Sequence, residues 1–179
     1  MKSFSKIFFL AFVFLALNAV ASAEDDLICQ LDRLLADEES ASPKQFEEIR
    51  AEIEKNPDQA LASLVARVNS GAMSEKNLAP YIWAMGLTKS PAAVREIIRI
   101  TDSTGSKDLL QHSIQALAAI GSDQAGGYLL EKAQTSQDPM LRFDIFNALA
   151  GMRYEQAIPY TTPILEQDPD QYYSSESIP

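Results

Sequence analysis

The 179-residue sequence holds one cysteine and one histidine. Each scarcity closes a line of chemistry. A single thiol, Cys29, makes no intramolecular disulfide, so stability must come from packing. Cys29 and His112 do not form a cluster with metal-ligand spacing, and the acidic run Glu24-Asp25-Asp26 lacks the Asp/Asn/Gly spacing of a calcium loop. No metal site is expected. The sequence has no Gly-rich phosphate loop, nucleophile elbow or kinase signature, and Gly126-Gly127 falls inside a helical register. Cys29 reads as a small hydrophobe or a bland surface thiol and His112 as a half-exposed helix residue. Hence no catalytic residue and no cofactor is assigned, and the expectation is a protein that is not an enzyme. Cations are scarce too, with Lys+Arg 15 against Asp+Glu 25 and a formal net charge of −10. Such a chain is a poor non-specific binder of nucleic acid or of an anionic membrane surface.

At the start stand Lys2 and Lys6, then residues 7–20, apolar but for Asn18, then Ala21-Ser22-Ala23. This is the three-part secretory pattern, with cleavage expected between Ala23 and Glu24. The 17 residues 7–23 fall short of the roughly 20 that span a bilayer. No stable membrane insertion is expected after cleavage. The remaining 156 residues carry 25 acids and 13 bases and no Asn-x-Ser/Thr sequon. A periplasmic or secreted location is therefore expected.

One constant shift along the chain aligns three units without gaps. Ala84, Ala116 and Ala148 coincide, as do Met85, Leu117 and Leu149, and Ala93, Ala125 and Ala157. Within a unit the apolar residues follow helical spacing in two segments, as Leu78, Ile82 and Met85 and then Ala93, Ile97 and Thr101. Ser90-Pro91 and Gly121-Ser122-Asp123 supply the turn between them, by N-cap, helix-first proline and helix stop. Small residues at 84–86, 116–118 and 148–150 allow close helix approach. Upstream the period weakens, yet Phe46, Ile49 and Ile53, then Leu61, Leu64, Val65 and Val68, read as a fourth, divergent pair. Leu27, Ile28, Leu31, Leu34 and Leu35 mark an amphipathic cap helix within residues 25–38.

The stretch Ala-Leu-Ala-Ala-Ile-Gly-Ser-Asp-Gln-Ala at 116–125 and its copy at 148–157 resemble HEAT-type repeats, in the short form also found in phycobilisome lyases. The resemblance covers residues 44–167 and implies an all-α, right-handed α-solenoid of about four helix pairs behind an N-terminal cap helix. The expected organisation is a signal peptide at 1–23, cap helix and linker at 24–43, repeats at 44–167 and a mobile acidic tail at 168–179. Pro159 fits a first helical turn, whereas Pro163 should break or shorten the last helix. The function this implies is an exported protein-binding adaptor, scaffold or regulator using a concave face. The alternatives are a lyase-like or cofactor-handling enzyme and a self-assembling structural protein.

Charge is segregated. Residues 24–58 hold 4 bases and 12 acids, residues 59–107 hold 6 and 3, and residues 108–179 hold 3 and 10. In HEAT-like stacks the second helices line the concave face, so Lys89, Arg95 and Arg99 become candidates to anchor an acidic segment of a protein or peptide partner. The competing and favoured reading pairs these cations with Glu96, Asp102 or Glu131 between repeats. Tyr128 and Tyr160 share a repeat position at the edge of the buried stripe, as packing residues or as groove contacts. Trp83 is expected in the interior between repeats.

Overall fold

The computed structural model describes residues 27–35, 42–71 and 73–161. The expected signal segment, the acidic tail and residues 162–167 lie outside them. Among the described residues the fold is all-α. Helix α1 spans 27–35, α2 Pro43–Lys55, α3 Pro57–Asn69, α4 Ala79–Leu87, α5 Pro91–Thr104, α6 Lys107–Ile120, α7 Asp123–Thr135 and α8 Pro139–Gly151. Short 3-10 turns at Glu75–Asn77 and Glu155–Ala157 precede α4 and a helical turn at 158–161.

The caps explain where the helices start. Ser42, Ser74, Ser106 and Asp138 stand one repeat period apart, each as the N-cap of an element that opens a unit. Ser42 and Gln45 form a reciprocal capping box: the Gln45 amide donates to Ser42 Oγ, and the Ser42 amide to Gln45 Oε1 at 2.7 Å. Pro43, placed in the linker by the sequence reading, is the first residue of α2. Asp138 accepts from the amides of Met140 and Leu141 at 3.0 and 3.3 Å. Ser90 and Ser122 cap α5 and α7 in the same way. Ahead of the second helices, Lys89, Gly121 and Arg153 keep the same period, with φ of 51°, 68° and 56°. Only Gly121 adopts this left-handed conformation without steric penalty.

The core repeats in the same register. Ile53, Met85, Leu117 and Leu149 are fully buried, as are Ile49, Tyr81, Ser113 and Ile145; Leu61, Ala93, Ala125 and Ala157 follow at the start of each second helix. Burying one such Leu, Ile or Met side chain stabilises the fold by roughly 1.5–3 kcal/mol. Corresponding helices touch in succession: α2 packs on α4, α4 on α6 and α6 on α8, while α3, α5 and α7 each pack on the helix that follows. At the α4–α6 crossing a Cβ on Gly86 would lie 2.8 Å from Ala116 Cα, so the two backbones are in direct contact. Gly126 has a different reason: the Tyr154 ring occupies the space its Cβ would need.

Helix α1 is held by a polar latch as well as by Leu27, Leu31 and Leu34, all buried. Asp32 accepts from Tyr81 Oη at 2.6 Å and from Arg67 Nη2 at 3.0 Å. Burial, then the Asp32 bond, pushes the Tyr81 phenol above its ordinary pKa. The same carboxylate raises that of the Arg67 guanidinium.

Candidate functional site

The structure ties most second-helix cations to neighbouring units. Arg67 reaches Asp32 on α1. Arg99 donates to Glu96 Oε2 at 2.9 Å and to Asn69 Oδ1 on α3 at 2.7 Å. On α7, Lys132 donates to Asp102 Oδ1 on α5 at 2.8 Å, beneath a Tyr128 Oη bond to the same oxygen at 2.9 Å. The Lys132 ammonium also sits 5.1 Å from the centre of the Tyr128 ring. Lys132, then Tyr128, draws the Asp102 pKa below the ordinary carboxylate value, and burial with the Asp102 bond raises that of Tyr128. These contacts form a ladder from α1 to α7, each rung joining one unit to the preceding one.

The remaining candidates scatter. Lys89 is exposed, and it lies in the α4–α5 turn, not on a second helix as the sequence reading had it. Arg95 lines an open cleft of about 820 Å³ between α3 and α5 together with Asp58, Leu61, Val65 and Glu96. Tyr160 is 47% exposed in the final helical turn. His112 and Cys29 are exposed on α6 and α1.

A second concavity lies on the other row of helices. A trough of about 680 Å³ runs over the first helices, walled by Phe46 of α2, Pro80, Trp83 and Leu87 of α4, and His112 and Gln115 of α6. Leu34 of α1, Gly86 of α4, and Ala116 and Ala119 of α6 complete the lining. Phe46 and Trp83 meet edge to face, 5.4 Å between centroids at 85°. Trp83, expected in the interior, is only half-buried and forms a wall of this trough. Its neighbours Ile82 and Met85 take the core positions instead. Periodicity alone did not separate adjacent apolar residues of α4. The signal that could have done so is the register, since Trp83 falls with Gln115 and Asn147, which are polar, while Ile82 falls with Ile114 and Phe146.

The polar groups of the trough are one imidazole and one carboxamide on an apolar wall. Among the described residues no group of three or more His, Cys, Asp or Glu side chains could hold a metal ion, and no helix is long and apolar enough to cross a membrane. No protein-family model, curated protein or solved structure matches this chain.

Proposed function

We propose that the protein is an exported, non-catalytic binding module: a right-handed stack of HEAT-like helix pairs, capped by α1, that holds a segment of another protein. The observation that carries this reading is the trough, where part-buried Trp83 meets exposed Phe46 edge to face over an apolar lining. Ligand-sized sites span about 300–1,000 Å³ and are mostly apolar with a few polar groups. Tryptophan at the centre of such a surface dominates binding energy. A trough open along one side suits side chains presented by a polypeptide. This moves the contact surface from the second helices, where Arg99 is already engaged, to the first.

Trp83 is the only tryptophan of the chain, so its emission reports occupancy of the trough directly. The test is selection of peptides from a random display library against the mature chain, followed by titration of each selected peptide. Binding that shifts Trp83 emission and is lost in Leu87→Asp supports the reading. Selection that enriches nothing, or peptides that leave Trp83 emission unchanged, removes it.

A further inference from the structure

Three positions of α4 and their counterparts on α6 line the trough, and the chemistry of this register changes from α4 to α8. Positions 80, 83 and 87 of α4 are Pro, Trp and Leu. Their counterparts one unit on, in α6, are His112, Gln115 and Ala119. Another unit on, in α8, they are Asp144, Asn147 and Gly151. From α4 to α8 these positions run from aromatic and aliphatic, through neutral hydrogen-bonding groups, to an acid; on α2 they are Glu48, Ala51 and Lys55, and Phe46 lines the trough instead. Gln111 Nε2 donates to Asp144 Oδ2 at 3.4 Å, which joins α6 to α8. Asp144 remains half-exposed with acceptor capacity to spare.

Resting on the binding-module reading above, we infer that the partner segment is bipartite: an aromatic or aliphatic anchor seats against Trp83 and Leu87, and a lysine or arginine at its other end faces Asp144. The chain's net charge of −10 favours approach of a cationic partner over an acidic one, the reverse of the preference that the second-helix cations imply. Packed helices lie about 8–10 Å apart, so the α4-to-α8 span is roughly 16–20 Å. An extended segment covers that in about five or six residues, at roughly 3.3 Å each. A helical one needs about 11–13, at roughly 1.5 Å each.

The experiment uses the mature chain and synthetic Ala/Gln-based peptides. Each carries a Leu-Phe anchor and, six or twelve positions away, a pair of Arg, Gln or Glu. Trp83 emission reads trough occupancy, and anisotropy of a labelled peptide reads affinity. Arg peptides should bind tightest and Glu peptides weakest, by about threefold per step at low salt, as for exposed charge pairs. The ranking should narrow in Asp144→Asn and collapse at high salt, while Trp83 still responds to all peptides. If Asp144→Asn leaves the ranking intact, the bipartite inference fails and the trough reading stands. If no peptide moves Trp83 emission, both fail. Trp83 emission that changes with protein concentration alone puts a second copy in the trough and overturns the inference.

Discussion

Removing Asp32 should unlatch α1. In Asp32→Ala, Tyr81 Oη loses its 2.6 Å acceptor and Arg67 its ion pair. A buried hydroxyl left unpaired costs about 1–3 kcal/mol. The Tyr81 residue is wholly buried, but the Asp32 side chain is 39% exposed, so water can partly replace the carboxylate. The lower half of that range therefore applies, about 1–2 kcal/mol. The part-exposed Arg67 pair adds about 0–1 kcal/mol. The sum of about 2 kcal/mol lowers Tm by roughly 4–8 °C for a chain of this length. Tyr81→Phe removes the donor and should cost about 1 kcal/mol. In the double variant the losses should fall short of additive by about 1 kcal/mol, since one bond cannot be lost twice. Urea unfolding of the four proteins gives the cycle. Hydrogen exchange should show α1 amides losing protection while α6 and α7 keep theirs. Additivity within about 0.3 kcal/mol, the scatter for independent sites, refutes the latch.

Three further outcomes follow from the packing. Gly86→Ala should destabilise by about 1–3 kcal/mol in a denaturant titration. The gain in helix propensity of about 1 kcal/mol does not offset a Cβ placed 2.8 Å from the Ala116 backbone. Arg142 stands where earlier units have Leu78 and Leu110, and its Nε is buried without a hydrogen-bond partner. Arg142→Leu should therefore raise stability by about 1 kcal/mol, read as a higher Tm. Stability should also fall in alkali. The Tyr81 and Tyr128 pKa values are raised above the unfolded value of 10.0, so the folded state holds protons that the unfolded chain has lost. Their contribution is whole below about pH 10 and drains away as pH climbs through the folded values. The urea midpoint should hold level to about pH 9.5 and then drop, with a shallower drop in Tyr81→Phe.

The helices and their core were legible because burial recurs in helical spacing. Met85, Leu117 and Leu149 announce one position, and Ala93, Ala125 and Ala157 another. The first unit is divergent in sequence because Glu52 and Leu61 stand where the later units have alanine. Its register rests on Ser42, Ile49, Ile53 and Leu61, where cap and burial persist but residue type changes. The roles of the cations could not be read from spacing. Arg99 finds Asn69 and Lys132 finds Asp102 far along the chain, across a helix crossing whose angle the sequence does not state. The trough escaped for a related reason. Walls from α2, α4 and α6 converge only once α4 and α6 close on Gly86, and no single helix displays that convergence.

The N-caps at 42, 74, 106 and 138 have a genetic corollary. A block reaching from one of them to the next, cut out or duplicated, rejoins one cap to another. Each junction so made has counterparts already in the chain, from hydroxyl or carboxylate cap to helix start. Length is then free to drift by whole units through unequal crossing-over, while α1, which has no counterpart among the described helices, must be kept in place.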